Sequence, residues 1–112
     1  MARNPITRKG NARRLDRAPG VIVNIMTDHQ QITLCEVLLD PGSVVPMHTH
    51  VHEQSGTLIS GQMEFEIDGV THDLRPGDAW MIPGGVPHEA RAIEKCVVIE
   101  AFSPPREDWR AP

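Results

Sequence analysis

Three histidines stand at alternate positions in one short segment of the chain: His48, His50 and His52. Side chains at period two point to the same side of an extended strand, so this spacing brings the imidazoles together if the strand continues. Neutral imidazole is the commonest metal ligand in proteins, and Gln54, again at even spacing, can add an amide oxygen. The segment therefore predicts a site for one divalent metal ion. The alternation leaves open which of His50 and His52 binds, because the chain can bend near His52.

Short β-rich runs, separated by ten prolines and nine glycines, must position this cluster. No run keeps a helical period for about 10 to 12 residues, so the pattern predicts an all-β protein. Asp68-Gly69 is a two-residue hairpin signal, and the run before it alternates apolar with acidic residues. The predicted strands are residues 21–26, 32–39, 43–50, 56–60, 62–67, 70–74, 79–82, 88–92 and 96–102. Strands of this number and spacing indicate a sandwich or a small barrel.

The charge is divided unevenly along the chain. Residues 1–17 carry six Lys or Arg and one acid, a net charge of +5, whereas residues 18–112 carry five against fourteen, a net charge of −9, which together give −4. We predict a basic N-terminal arm, 1–20, and a single domain, 21–112. The acidic domain argues against nucleic acid as a partner, and we expect the arm to lie across an acidic face of its own or a neighbouring subunit.

The remaining composition predicts a small cytoplasmic homodimer without a membrane segment. Cys35 and Cys96 lie in apolar runs without CxxC spacing, and no signal peptide is evident, which indicates a reducing compartment and buried thiols. No apolar stretch approaches the ~20 residues of a membrane helix. A chain of 112 residues buries only a modest core, and its last predicted strand, 96–102, is apolar on both faces. We therefore expect a partner copy to cover the outer face.

Two spaced motifs resemble the two motifs of the cupin family. The first comprises Gly42, His48, His50, Gln54 and Gly61, and the second comprises Gly77, Pro83, Gly85 and His88. The resemblance spans roughly residues 40–92 and implies a double-stranded β-helix, the jelly-roll cupin barrel. It also implies that one divalent metal ion binds to His48, His50, Gln54 and His88. By that analogy His52 lies outside the set of ligands.

Two positions depart from the usual cupin pattern. Gln54 stands where the family commonly has a glutamate ligand, and Ala92 stands where an asparagine commonly closes the second motif. Glutamine removes one negative charge, so three neutral imidazoles and a neutral amide would surround the ion. Such an ion remains a stronger Lewis acid and favours an anionic ligand, here a substrate with a carboxylate. The ligand set suits Zn, Ni, Fe, Mn or Co and does not choose among them.

A narrower resemblance covers the segments HTHVHEQSGTLISGQMEF and FSPPREDW. Both look like the KdgF-type cupins of pectin and alginate catabolism, which convert 4,5-unsaturated monouronates to linear keto-uronates. That group usually has the glutamine ligand, an acidic residue two positions before a phenylalanine, and the arginine of FSPPR. Here those residues are Glu100, Phe102 and Arg106. The resemblance implies that Glu100 and Arg106 are catalytic and that Arg106 and Phe102 bind the substrate, although the group more often has aspartate in place of Glu100 and an aromatic residue in place of Thr57.

The residues themselves are compatible with this chemistry. Glu100 shares a strand face with Val98 and Phe102, where a carboxylate is costly to bury unless it is paired or useful, so it is a candidate proton carrier. It could instead form a structural bridge with Arg106 or Arg91. An arginine can clamp a carboxylate bidentately. In the predicted mechanism the ring hemiacetal opens to an enol at C5, Arg106 and the metal ion stabilise its enolate, and Glu100 moves a proton toward C4.

Two other hypotheses fit the same residues. A metal-dependent dioxygenase or other oxidoreductase could use a three-histidine iron site, and a non-catalytic barrel could simply bind a small acid. Iron dependence and oxygen consumption would favour the first, whereas ligand retention without turnover would favour the second.

Overall fold

The computed structural model describes residues 4–110. Its strands are β1 (Arg13–Ala18), β2 (Val21–Asp28), β3 (Thr33–Leu39), β4 (Val44–His48), β5 (Glu53–Ser60), β6 (Met63–Ile67), β7 (Val70–Leu74), β8 (Ala79–Ile82), β9 (His88–Ala92) and β10 (Cys96–Ser103). Two short 3-10 turns, Lys9–Asn11 and Glu107–Trp109, complete the regular structure. Among residues 4–110 no helix is long and apolar enough to cross a membrane.

The strands form two antiparallel sheets, which confirms the all-β jelly-roll prediction. One sheet has six strands in the order β1-β2-β3-β10-β5-β8, and the other has four in the order β4-β9-β6-β7. The barrel is not closed, because within the described residues no strand of one sheet pairs with a strand of the other. The sheets are held together by the apolar side chains between them.

The core follows from alternation along the strands. In β2 the inward residues Val21, Val23 and Ile25 are buried, while their neighbours are only partly so. β10 repeats the pattern, and its inward positions include a glutamate as well as apolar residues. Because successive side chains of a strand point to opposite faces, the side chains on one face of each sheet fill the interior. Polar groups on these inward rows are therefore directed into the core.

All nine predicted strands are present, but two ends differ in a way that shapes the site. The strand predicted over 43–50 ends at His48, and β5 begins at Glu53. The chain turns between them because the backbone of residues 50 and 51 packs against the turn that follows β8. Gly85 N–H donates to the carbonyl of His50, and a Cβ on Gly84 would lie 2.3 Å from the carbonyl oxygen of Val51.

The structure also has a strand that the sequence pattern does not predict. Residues 13–18, within the predicted arm, form β1 and pair with β2 at one edge of the six-stranded sheet. β1 also contacts β4, the strand of the other sheet that ends at His48. Part of the basic segment therefore lies beside the histidine cluster.

Candidate metal centre

Three histidines from different parts of the chain meet between the sheets. His48, the last residue of β4, is the register partner of His88, the first residue of β9, and His50 follows in the turn after β4. The ring centroids of His48 and His88 lie 4.3 Å apart, and those of His50 and His88 lie 4.9 Å apart. One ligand nitrogen from each residue lies within 4.8 Å of the others. His52 is outside this group.

The backbone fixes which nitrogen each imidazole presents. Nδ1 of His48 lies 2.8 Å from the carbonyl oxygen of Pro46, Nδ1 of His88 lies 2.9 Å from that of Val86, and Nδ1 of His50 lies 3.1 Å from that of His52. A carbonyl oxygen can only accept, so each Nδ1 donates a hydrogen. Each neutral ring therefore keeps its lone pair on Nε2, the tautomer that a metal ligand needs.

Burial keeps these rings neutral. Desolvation lowers the pKa of all three imidazoles, and the pKa of His50 falls to about 4, with the charge of Arg106 as the next cause. A neutral ring with a free Nε2 is the form that coordinates a metal ion. Nε2 of His88 is buried and has no hydrogen-bond partner among the described residues. A buried nitrogen without a partner is costly, and an ion at this place would satisfy it.

Gln54 supplies a fourth donor atom, an oxygen, to the same place. Its Oε1 lies 3.0 Å from Nε2 of His50, yet both atoms carry lone pairs and no hydrogen, because Nδ1 of that ring holds the proton. Two ligand atoms that bind one ion at about 2.1 Å and at a right angle are about 3.0 Å apart. The donor set therefore fits a divalent metal ion on His48, His50, His88 and Gln54.

Glu100 orients the Gln54 amide. Gln54 Nε2 donates to Glu100 Oε2, which turns Oε1 toward His50, and Trp80 Nε1 donates to the same Oε2 at 3.1 Å. Trp80 reaches the acid by crossing over Gly56, since a Cβ at position 56 would lie 2.7 Å from the indole. The strand register explains why these three residues are neighbours, because Gly56 pairs with both Glu100 and Trp80.

The environment of Glu100 favours a retained proton. The residue is 9% exposed, and burial raises the pKa of its carboxyl despite the opposing effect of the hydrogen bonds from Gln54 and Trp80. Oε1 makes no hydrogen bond within residues 4–110. The carboxyl thus has one oxygen held by the protein and one free to exchange a proton with a ligand.

Arg106 lies in an aromatic cage near this acid. Its guanidinium carbon is 4.8 Å from the ring centroid of Phe102 and 3.7 Å from that of Trp109. Nε and Nη2 donate to the two carboxylate oxygens of Asp108 at 3.0 and 2.9 Å. The edge of the Arg106 guanidinium that was expected to clamp a substrate is therefore directed at Asp108. Its remaining nitrogen, Nη1, makes no hydrogen bond within the described chain.

The cavity that joins these groups is small. It has a volume of about 50 Å³ and is lined by His48, Gln54, His88, Glu100, Phe102 and Arg106, among others. This volume holds an ion and a few ligand atoms, and it is far below the ~300 Å³ of pockets that enclose drug-sized molecules. A larger ligand would insert its polar end and keep the rest toward the opening.

Comparison with known proteins agrees with this arrangement. The Cupin_2 family model, described as a cupin domain, matches residues 35–102, more than half of the chain. The chain belongs to the cupin family. This cupin is 29% identical over 92 residues to the pectin degradation protein KdgF of Dickeya dadantii (strain 3937), a match that covers 80% of this chain and 84% of the relative.

Solved structures refine the assignment. KdgF from Halomonas sp. is 31% identical to this cupin, with a TM-score of 0.88, and the match covers 96% of this chain and 100% of that one. An RmlC-like cupin from Shewanella frigidimarina NCIMB 400 is 24% identical, with a TM-score of 0.90 and coverages of 96% and 97%, and shows the same fold. Within the family, the chain is a KdgF-type cupin.

The residues predicted from sequence all meet in this cupin. The ligand nitrogens of His48, His50 and His88 lie within 4.8 Å of one another, and Oε1 of Gln54 lies 3.0 Å from Nε2 of His50. Glu100, Phe102 and Arg106 line the same cavity as His48, Gln54 and His88. His52, which alternation could not exclude, instead supports the site through its carbonyl, which accepts the Nδ1 hydrogen of His50. Its ring lies 6.4 Å from that of Phe102.

Sequence reasoning missed several residues of the cupin site. Trp80, which donates to Glu100, and Asp108, which holds Arg106, carry no signal in their local pattern. Gly56 could have been noticed as a glycine inside a strand, which often marks a close approach of another group. Arg17 also lines the cavity, although it lies in the segment predicted as an arm.

Proposed function

We propose that this cupin catalyses the metal-dependent ring opening and tautomerisation of 4,5-unsaturated monouronates to linear keto-uronates. The observation that carries the proposal is the buried Glu100 carboxyl, which lines the same cavity as His48 and His88 and has one oxygen without a hydrogen bond within residues 4–110. A proton carrier beside a metal site is what an enol-to-keto conversion needs. The similarity to two KdgF proteins, one named for pectin degradation, supports the same substrate class.

The reaction balances without a redox partner. The C1–O bond of the ring hemiacetal breaks, the C1 hydroxyl loses its proton to give an aldehyde, and the enolate at C5 gains a proton at C4. A divalent ion held by the three histidines and Gln54 would supply the positive charge that favours an enolate. Glu100 delivers the proton to C4 from its free Oε1 and regains one from solvent.

Arg106 and Phe102 complete the proposed site. The Asp108 carboxylate and the aromatic rings of Phe102 and Trp109 hold the Arg106 guanidinium in place. Nη1 can then donate to an oxygen of the substrate that gains negative charge, and a preorganised donor costs no rearrangement during reaction. Phe102 offers an apolar ring edge beside the cavity for the face of the sugar.

The test is a turnover assay on metal-loaded protein. Addition of 4,5-unsaturated galacturonate, or of the corresponding sugar from alginate, should be followed by loss of the ultraviolet absorption of the conjugated C4=C5 bond, faster than the spontaneous reaction. Absence of acceleration on both sugars, with full metal content, would contradict the proposal. Oxygen consumption by an iron-loaded sample would then favour the oxidoreductase hypothesis, and tight binding of the unchanged sugar would favour the binding-module hypothesis.

We also propose that the cupin is a cytoplasmic homodimer. Cys35 and Cys96 are free and buried, as expected for a reducing compartment. The outer face of the six-stranded sheet is largely apolar and includes Ile22, Leu34, Leu38, Ile59, Met81, Val97 and Ile99. Ile59 and Met81 are 52% and 62% exposed. A second copy presents the same patch, so a two-fold contact would bury both at once.

The dimer prediction has a direct measurement. Light scattering at micromolar concentration should give twice the chain mass of 12.4 kDa. Ile99→Glu, in the middle of the apolar face, should shift the protein to monomer because it would bury an unpaired charge at the contact. Val70→Glu, an exposed position on the other sheet, is the matched control and should remain dimeric. A monomeric wild type would refute the prediction.

A further inference from the structure

Arg17 lies on the inward side of β1 and lines the cavity. The pairing of β1 with β2 runs from Arg13 to Asp16, shifts register, and resumes at Ala18, so Arg17 is the extra residue of a bulge. Alternation along the strand places Arg17 on the same side as Leu15, which packs against the core. Arg17 therefore lines the same cavity as His48 and His88, whereas Arg14, on the opposite side of the strand, is exposed.

The guanidinium of Arg17 has no partner in the part of the chain that the structure describes. It makes no hydrogen bond or ion pair with any residue from 4 to 110, although it is partly buried. Burial, and then the positive charge of Arg106, lower the pKa of Arg17, with Asp108 acting in the opposite direction. A partly desolvated cation without a bonded anion is costly, and a bound anion would remove that cost.

Arg106 differs from Arg17 in this respect. Its Nε and Nη2 are occupied by Asp108, and its charge is therefore balanced within the protein. Arg17 has its full planar edge available for two parallel hydrogen bonds to a carboxylate. Its charge is also close enough to the ligand cluster to lower the pKa of both His48 and His88. Of the two arginines at the cavity, Arg17 is the one whose bidentate edge is free to bind a carboxylate, whereas Arg106 has a single nitrogen, Nη1, left to donate.

We propose that Arg17 binds the substrate carboxylate at the opening of the cavity and thereby selects uronates over uncharged sugars. The identity of the anion as a uronate rests on the proposed function, whereas the preference for a carboxylate rests on the unpaired guanidinium. The small cavity is consistent with this placement, because a sugar ring must remain largely outside it, and Arg17 lines the cavity while remaining partly exposed. The basic N-terminal segment would then contribute a specificity residue through β1.

The test compares Arg17→Gln and Arg17→Lys with wild type at equal metal content. For 4,5-unsaturated galacturonate, Arg17→Gln should raise KM on the order of 10–100-fold, the worth of a lost hydrogen bond to a charged group, with kcat changed much less. The affinity of Arg17→Gln for saturated galacturonate, which has no C4=C5 bond to react, should fall by a similar factor when measured by calorimetry. Affinity for its methyl ester should hardly change. Arg17→Lys keeps the positive charge but loses the two parallel N–H donors of the guanidinium. Its KM and its affinity for galacturonate should therefore lie between those of wild type and Arg17→Gln.

Arg14→Gln is the matched control, since Arg14 is on the same strand and pairs with Asp16 in solvent. It should leave KM and both affinities at wild-type values. Equal losses for the acid and the ester in Arg17→Gln would assign Arg17 a structural role and overturn the proposal, as would galacturonate affinity within twofold of wild type. Wild type that binds galacturonate through Arg17 without turnover would refute the proposed reaction and keep this inference. Turnover of the unsaturated uronate with the same KM in wild type and Arg17→Gln would support the proposed reaction and refute this inference.

Discussion

Replacement of Glu100 by glutamine is expected to lower kcat on the order of 10²–10⁴-fold, the usual contribution of a positioned general acid or base. The amide keeps the shape of the side chain and can still accept the hydrogen bond from Trp80 Nε1, but it cannot deliver a proton to C4. The loss should appear in the assay that follows the ultraviolet absorption of the unsaturated uronate. Metal content, measured by elemental analysis, should stay at the wild-type value because Glu100 is not among the grouped histidine ligands.

The control for this variant is Glu94→Gln, which makes the same substitution at an exposed position just before β10. It should retain wild-type kcat and metal content. Full activity in Glu100→Gln would leave the fold and substrate proposals in place and refute Glu100 as the proton carrier. The next candidate would be His52, whose buried Nδ1 has no partner among the described residues.

Replacement of His88 by alanine is expected to abolish most metal binding, and turnover with it. Wild-type protein purified without chelator or nickel resin should contain close to one divalent metal per chain. His88 supplies one of three imidazoles, and its Nε2 has no other partner. Loss of a ligand should weaken metal affinity by more than the 10–100-fold typical of a residue that only hydrogen-bonds a ligand. Elemental analysis after dialysis measures the loss.

A second readout separates metal loss from misfolding. Metal that binds only the folded state raises the unfolding temperature, so a chelator should lower that of wild type and should hardly affect His88→Ala. His72→Ala, an exposed histidine on β7, is the matched control and should keep both metal and chelator response. Full metal occupancy in His88→Ala would refute the ligand assignment.

Local sequence was sufficient for nine of the ten strands and for part of the site. Turn residues and period-two alternation set where extended segments begin and end, because backbone sterics and side-chain direction act over a few residues. The same short-range alternation predicted that His48 and His50 lie together. It could not decide between His50 and His52, because the turn at residues 49–52 depends on packing against Gly84 and Gly85, which come from a distant part of the chain.

The sequence by itself determined the all-β class, the histidine cluster and the presence of a buried acid on the last strand. Only the tertiary structure decided what those groups face, because sheet register is a long-range property set by how whole strands pair and pack. Register puts His88 opposite His48 and lets Trp80 cross Gly56 to Glu100. The pairing of β1 with β2, which no local pattern indicated, turns Arg17 from a residue of a basic arm into part of the site, because a segment becomes a strand of a sheet only through a partner elsewhere in the chain, and alternation then directs every second side chain inward.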